Sequence, residues 1–290
     1  MKGKLIIHIG PPKTATTALQ YYLMLFKKEG FKYIGINQPR EDQTIAKDLY
    51  EYCRTEGKNE KLKAYLLLKL KELVDNYKYI VVSEEMFTVE NSKLSFFKKL
   101  QRLYEITKKY DPIVTFCVRN VEKVYFSYYA EIYHTLPLGY RKDFKQFQNS
   151  NFCECYKYER LYNRLLSIGF KKINFFHFNK LKLGNLTMEN FLGIEDQEYS
   201  FRIKLDKKHV TKINGQSDKV ITKENVVNLF INRFNRVSPL KFKGFGFRKQ
   251  FSKKIKFTKV VELKKEEVSK ATLDIYSKDL IFLNSLNKNL

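Results

Sequence analysis

A short apolar run near the N-terminus constrains the fold more than any other feature of the sequence. Residues 4–9 form a nearly continuous apolar run that ends at Gly10, Pro11 and Pro12. Such a run is typical of a strand buried on both faces of a parallel sheet. From residue 14, apolar side chains recur at steps of three and four, which predicts a helix over 14–28. Strand, tight loop and helix in this order predict the first unit of an α/β domain.

The same alternation of apolar strands and amphipathic helices continues to about residue 195. The pattern predicts further strands at 79–83, 113–118 and 172–178, and further helices at 43–54, 60–76, 94–110, 121–133 and 156–168. Strands separated by helices predict a three-layer α/β sandwich with a central, mainly parallel sheet. Ligands of such sheets bind at the carboxyl ends of the strands.

The last third of the chain follows this pattern less closely. After residue 198 the sequence becomes a basic tail with two predicted helical stretches, at 223–234 and 264–286. We find no internal repeat and no low-complexity linker that would separate a second domain. The chain of 290 residues is therefore expected to form one domain, with its core at 4–195 and a less regular region at 196–290.

Charge and cysteine content limit the possible partners. The chain has 55 lysines and arginines against 31 aspartates and glutamates, a formal net charge of +24. This charge permits nucleic acid, acidic lipid, a nucleotide or an acidic polysaccharide as a partner, and by itself does not choose among them. The four cysteines lack a C-x-x-C pair and are too few for a disulfide framework or a four-ligand zinc site: Cys53, Cys117, Cys153 and Cys155. We therefore expect reduced thiols, a cytoplasmic location and no metal.

No targeting or membrane-spanning segment is expected from the sequence. The first ten residues lack the charged region, apolar run and cleavage site of a secretory signal. The apolar stretch at 64–70 is interrupted by Lys69 and followed by Lys71, and no run approaches the roughly 20 residues that a membrane span requires.

The loop between the first strand and the first helix has the composition of an anion site. Unpaired N–H groups and the helix dipole favour an anion at a helix start. Here Lys13 adds a full charge, and Thr14, Thr16 and Thr17 add hydroxyl donors. The loop is not a Walker A motif, in which a second Gly would directly precede the Lys. The alternative is that Thr14 only caps the helix and Lys13 is solvated.

A second anion motif follows an independent strand. Arg119 directly follows the predicted strand at 113–118, and Ser127 lies eight residues later in the next helix. A guanidinium offers a planar fork of donors to phosphate oxygens, and a serine hydroxyl can complete the set. Alternatively, Arg119 forms a salt bridge and Ser127 is a surface hydroxyl.

Together these two motifs resemble the PAPS-dependent sulfotransferase superfamily, in particular its bacterial carbohydrate sulfotransferases; PAPS is 3'-phosphoadenosine 5'-phosphosulfate. The loop resembles the family's P-loop-like phosphosulfate loop, and Arg119 with Ser127 resembles its 3'-phosphate site. The resemblance implies a nucleotide-binding set of Gly10, Pro12, Lys13, Thr14, Ala15, Thr16, Thr17, Arg119 and Ser127. It covers residues 4–195, and departs from the family at Ala15, usually Gly, and at Val121, commonly Pro.

The resemblance also implies an activity: transfer of a sulfuryl group from PAPS to an acceptor hydroxyl, leaving adenosine 3',5'-bisphosphate. The nucleotide donor and a glycan or glycolipid acceptor are then the partners, and nucleic acid is not expected. Lys13 would stabilise the departing phosphate. Glu84 and Glu85 follow the strand at 79–83 as candidate bases. Glu85 is favoured because the family's Ser-Ser-Glu pattern places its acid third, although either carboxylate can instead cap the next helix.

One basic loop and two rival functions remain as alternative interpretations of the sequence. Lys243 and Gly244 lie in a basic loop, residues 243–249, that either closes over the donor or is simply exposed. An ATP-dependent small-molecule kinase is a rival enzyme class, although it needs a Walker lysine that this loop lacks. A non-catalytic basic module that binds anions is the second rival; it explains the net charge but not two phosphate motifs at two strand ends.

Overall fold

Five parallel strands form one central sheet. The structure, a computed structural model, describes residues 3–37, 44–55, 59–90, 94–205, 219–225 and 258–287. The strands are β1 (Lys4–His8), β2 (Phe31–Tyr33), β3 (Tyr79–Ser83), β4 (Ile113–Val118) and β5 (Lys172–His177), in the spatial order β2-β3-β1-β4-β5. The predicted parallel sheet is confirmed, and all its carboxyl ends meet at one edge.

Helices flank this sheet. In chain order they are α1 (Thr16–Leu25), α2 (Ile45–Arg54), α3 (Glu60–Asn76), α4 (Phe96–Thr107), α5 (Val121–Ile132), α6 (Leu138–Lys142), α7 (Phe144–Gln148), α8 (Tyr158–Ile168), α9 (Phe178–Lys182), α10 (Met188–Leu192) and α11 (Lys270–Asn287). Local sequence explains several helix starts. The side chains of Thr44, Asn59 and Ser95 accept hydrogen bonds from the first turns of α2, α3 and α4.

Alternate residues of β1 face two different hydrophobic clusters. Leu5 and Ile7 belong to the larger cluster, which includes side chains of α2, α3, α4, α5, α8 and α11. Ile6 belongs to the smaller cluster, which includes side chains of α1 and α10. Because neighbouring residues of a strand point to opposite faces, the two clusters cover the two sides of the sheet. This arrangement is compatible with a three-layer sandwich.

Most predicted boundaries agree with the structure, and the exceptions have local causes. The strands at 79–83 and 113–118 and the helix at 60–76 are confirmed to the residue. Strand β2 is only three residues long, too short for a periodicity to be visible in the sequence.

The C-terminal predictions need correction. The helix predicted at 223–234 is wrong at its described start, because Lys219–Asn225 is a strand, β6, paired antiparallel with β7 (Thr258–Lys264). Each of these strands contains β-branched residues, which favour pairing over helix. The helix predicted at 264–286 accordingly begins only at Lys270. Residues 226–234 lie outside the described residues.

Two further expectations bear on the surroundings of the protein. All four cysteines are free and buried, so the structure holds no disulfide between them. Across the described parts of the chain, no helix combines the length and the apolar character needed to cross a membrane.

Candidate functional site

The predicted site residues gather at the carboxyl edge of the sheet. β1 is paired on one side with β3 and on the other with β4. The loop with Lys13, the segment with Glu84 and Glu85, and Arg119 therefore follow three neighbouring strand ends. Lys243 and Gly244 lie outside the described residues.

The carbonyl groups of residues 10–13 share one property: each accepts a hydrogen bond from a side chain. In chain order the donors are Thr88 Oγ1 (3.3 Å), Thr14 Oγ1 (2.6 Å), Tyr156 Oη (2.8 Å) and Arg119 Nη1. Four consecutive carbonyl dipoles are thus engaged by the protein. Because Pro11 and Pro12 have no N–H group, Lys13 is the first residue after Gly10 with a backbone donor.

The backbone of the loop is strained at two positions. Lys13 and Ala15 both have φ of 62°, in the left-handed region, and neither is a glycine. Such conformations cost roughly 1–3 kcal/mol each and are concentrated at functional sites. In many anion sites, left-handed residues in a turn direct backbone N–H groups towards the anion.

The start of α1 has no competing acceptor of its own. Ala15 is the N-cap, no side chain caps the helix, and its first turn contains no acidic residue. Thr14 and Thr16 are buried with their hydroxyl oxygens 3.4 Å apart, whereas Thr17 is exposed. The N-terminal N–H groups and the helix dipole therefore remain suited to an external anion.

Gly10 occupies a position at which the loop has no room for a side chain. A Cβ atom there would lie 2.7 Å from His8 Nε2 and 2.9 Å from Thr16 Oγ1, so a larger residue does not fit. His8 itself is buried, and its Nδ1 is hydrogen-bonded to Ser83 Oγ at 2.8 Å. Burial lowers the pKa of His8 to about 3. His8 is therefore neutral, and its ring lies directly against Gly10.

Arg119 is held beside the loop from several directions. Besides its bond to the Lys13 carbonyl, its backbone N–H donates to Tyr158 Oη, and that hydroxyl donates to the Arg119 carbonyl, both at 2.9 Å. The guanidinium carbon lies 4.2 Å from the centroid of the Phe178 ring. Burial lowers the pKa of the guanidinium, although arginine stays charged at neutral pH. The structure thus brings the two predicted anion motifs into direct contact.

Helix α5 adds a carboxylate that sequence reasoning missed. Glu131 Oε2 lies 3.7 Å from Lys13 Nζ. Ser127 is half-buried one turn earlier on the same helix, so the two residues share a face. This i, i+4 spacing from Ser127 is the sequence signal that would have identified Glu131.

The two candidate bases differ in their surroundings. Glu84 is fully buried, and its Oε1 accepts a hydrogen bond from the Met86 N–H at 2.9 Å, which caps a 3₁₀ turn at Glu85–Phe87. Glu85 is half-buried. The capping alternative thus describes Glu84 and leaves Glu85 as the more accessible carboxylate.

A buried lysine holds the segment that carries both glutamates. Lys99 Nζ donates to the carbonyls of Met86 (2.6 Å) and Val89 (2.5 Å). Burial lowers the pKa of this ammonium to about 8, against the opposing effect of nearby Glu90. The segment after β3 is therefore held by the Lys99 ammonium together with the Glu84 cap and the Thr88 hydroxyl.

The described residues contain no group of three or more His, Cys, Asp or Glu side chains arranged to hold a metal ion. A scan against protein-family models found no match, and neither did a search of curated proteins. Functional interpretation therefore depends on the geometry of the site and on the motifs.

Proposed function

We propose that the chain is a PAPS-dependent sulfotransferase that transfers a sulfuryl group to a hydroxyl of a glycan or glycolipid. One observation carries this proposal: Arg119 donates to the carbonyl of Lys13, so the two segments predicted to bind anions, which follow adjacent strands, are in contact. A donor with phosphate groups at both the 5' and the 3' position needs two such sites side by side. ATP, with its phosphates in one chain, does not.

The strained backbone at Lys13 and Ala15 supports the first half of this assignment. The phosphosulfate would lie at the start of α1, in contact with the loop N–H groups, the Lys13 ammonium and the hydroxyls of Thr16 and Thr17. A P-loop-like role of this kind matches the lack of a side-chain cap on α1. The 3'-phosphate would bind to Arg119, with Ser127 completing the set from α5.

The chemistry follows from this placement as an in-line sulfuryl transfer that parallels phosphoryl transfer. Negative charge develops on the bridging oxygen of the departing phosphate, where Lys13 and the loop amides stabilise it. A donor of this type contributes roughly 10²- to 10³-fold in rate. The hydroxyl proton needs an acceptor, and Glu85 is the candidate that the sequence predicts.

Calorimetric titration tests the proposal with three ligands: adenosine 3',5'-bisphosphate, adenosine 5'-monophosphate and ATP. We expect the bisphosphate to bind most tightly. Lys13→Ala should weaken its binding about 10- to 100-fold, since charge-assisted hydrogen bonds contribute about 1.5–3 kcal/mol. Arg119→Ala should weaken binding of the bisphosphate but leave the affinity for the monophosphate unchanged. Collapse of the loop would instead weaken binding of both ligands.

Lys123→Ala is the matched control, because Lys123 is an exposed lysine on α5. It should alter none of the three affinities by more than about twofold, as is usual for an exposed charge. Tighter binding of ATP than of the bisphosphate would favour the kinase. Ligand affinities that change in neither Lys13→Ala nor Arg119→Ala would favour the non-catalytic module.

A further inference from the structure

Lys13 and Glu131 form an ion pair beside the proposed anion site. The two charged groups are 3.7 Å apart, with 27% of the lysine side chain and 52% of the glutamate side chain exposed. Among the described residues, Glu131 is the one acidic side chain in salt-bridge contact with Lys13. It stands in the last turn of α5, on the face that also carries Ser127.

A carboxylate at this position opposes the binding of an anion. At about 4 Å, two like unit charges repel each other by roughly 1 kcal/mol even in bulk water, and by more where water is excluded. A site that only bound an anionic donor would be better without Glu131. The carboxylate therefore needs a role in a step that follows donor binding.

The chemistry of transfer suggests that role. Lys13 contacts the phosphate that leaves, and the acceptor oxygen approaches the sulfur from the opposite side. The sulfur is bonded to the bridging oxygen that Lys13 stabilises, so a carboxylate 3.7 Å from the Lys13 ammonium lies within a side chain's reach of the transferred group. The transfer also needs a group that takes the acceptor proton, and Glu131 competes with Glu85 for that role.

We propose that Glu131 is the base that receives the acceptor proton, and that its ion pair with Lys13 holds it inactive until the donor binds. This inference rests on the proposed sulfotransferase function. The donor anion takes over Lys13 and leaves Glu131 free. The acceptor O–H bond then breaks, its proton passes to the Glu131 carboxylate and the acceptor oxygen bonds to sulfur. The bond from sulfur to the bridging oxygen breaks, and its electron pair leaves with adenosine 3',5'-bisphosphate.

A neighbouring tyrosine supports this placement. The hydroxyl of Tyr128 is buried and has no hydrogen-bond partner among the described residues. Burial raises its pKa most, and the nearby Cys155, Cys153, Glu131 and Glu85 raise it further. Glu131 lies three residues after Tyr128 on α5, so the two side chains are neighbours on that helix. Among the described residues, Glu131 is the carboxylate paired with Lys13. It therefore loses its ion-pair partner when the donor binds to Lys13.

The test compares three variants: Glu131→Gln, Glu85→Gln and Glu105→Gln. Glu105 is the matched control, an exposed glutamate on α4 that pairs with Lys108 at 2.9 Å. In calorimetric titration with adenosine 3',5'-bisphosphate, Glu131→Gln should bind about fivefold more tightly than the parent, because one repulsive charge is gone. The other two variants should stay within about twofold of the parent.

The second measurement is transfer of radiolabelled sulfate from PAPS to pooled glycan acceptors. Glu131→Gln should lower the rate by about 10²- to 10⁴-fold despite its tighter nucleotide binding. Glu131→Asp, which keeps a carboxylate, should recover part of that rate, and a merely structural role would not produce this combination.

Two results would overturn the inference while leaving the proposed function intact. One is parent-like affinity and transfer in Glu131→Gln; the other is loss of transfer in Glu85→Gln alone, which would make Glu85 the base. A parent protein that binds no bisphosphate would instead remove the proposed function, and the inference with it.

Discussion

Two strand-end segments border the candidate site, and they are held in different ways. The loop after β1 is fixed through four consecutive carbonyls, each bonded to a side chain from a different position. The segment after β3 is fixed by Lys99, which donates to two carbonyls, and by the cap from Glu84. Each of the four loop bonds comes from a different side chain, whereas one ammonium, that of Lys99, makes two of the bonds that hold the segment after β3. The two segments should therefore respond differently to pH and to substitution.

The largest expected effect concerns the charge of Lys99. Its pKa is about 8 in the folded protein, against about 10.4 for an unperturbed lysine. Between these values the unfolded chain binds more protons than the folded one, so this group makes the free energy of unfolding rise with pH. Below pH 8 both states are protonated and its contribution is constant. The rise amounts to about 3 kcal/mol at most.

Denaturant unfolding at several pH values between 7.5 and 10.5 measures this effect, as the difference between the parent and Lys99→Met. Because the other titrating groups are shared, the difference isolates Lys99. Lys98→Met is the control, since Lys98 is exposed on the same helix and should show no such trend. A pH-independent difference between the parent and Lys99→Met would mean that the ammonium is solvated and does not hold the segment.

The next effect in size is a steric one at the loop. Gly10→Ala would place a methyl group 2.7 Å from His8 Nε2, and we expect a loss of about 1–3 kcal/mol in stability, as is usual for overpacking. Gly139→Ala is the control, because a Cβ atom there would lie 3.4 Å from Gln146 Oε1, at the edge of ordinary contact. Thermal or denaturant unfolding gives both values. Equal stability of the two variants would contradict the close approach of the loop to His8.

A pair of buried tyrosines tests the carbonyl bonds more directly. Tyr156 Oη donates to the Pro12 carbonyl at 2.8 Å, whereas the hydroxyl of Tyr128 has no partner in the described residues. The rings are close neighbours, with centroids 5.8 Å apart. Tyr156→Phe should destabilise the protein by about 1–2 kcal/mol, because it leaves the Pro12 carbonyl unpaired.

Tyr128→Phe, by contrast, should leave stability unchanged or slightly raise it, because the buried hydroxyl that it removes has no hydrogen-bond partner among the residues that the structure describes. Both values come from chemical unfolding under one set of conditions. The same loss in both variants would show that the Pro12 carbonyl does not depend on the Tyr156 hydroxyl.

The two segments also differ in how much of their structure could be predicted from the sequence. The strands at 79–83 and 113–118 are visible as continuous apolar runs, and neighbouring parallel strand ends bring Lys13 and Arg119 together. Lys99 was not foreseen, because its acceptors are backbone carbonyls, which leave no mark in the sequence. The contact between Lys13 and Glu131 depends on how α5 is rotated about its axis. Helical spacing alone does not fix that rotation.

The smallest expected effect concerns the strained residue at the start of α1. Ala15 has φ of 62°, a conformation that costs an alanine about 1–2 kcal/mol and a glycine almost nothing. Ala15→Gly should therefore relieve strain in the folded state. It should also lower the free energy of unfolding by about 0.5–1 kcal/mol, because glycine gives the unfolded chain more conformational freedom. The net expectation is a gain of about 0.5 kcal/mol.

Ala18 lies in the first turn of α1 and is buried, so Ala18→Gly should destabilise by about 1 kcal/mol or more, through the lower helix propensity of glycine and the loss of a buried methyl group. Both substitutions remove a methyl group, but only Ala15 has a positive φ, so a gain at residue 15 and a loss at residue 18 in denaturant unfolding would report the left-handed conformation of Ala15. If both destabilise by the same amount, residue 15 is not left-handed. A gain at residue 15 alone would show that the loop's shape stays strained even though its four carbonyls are bonded.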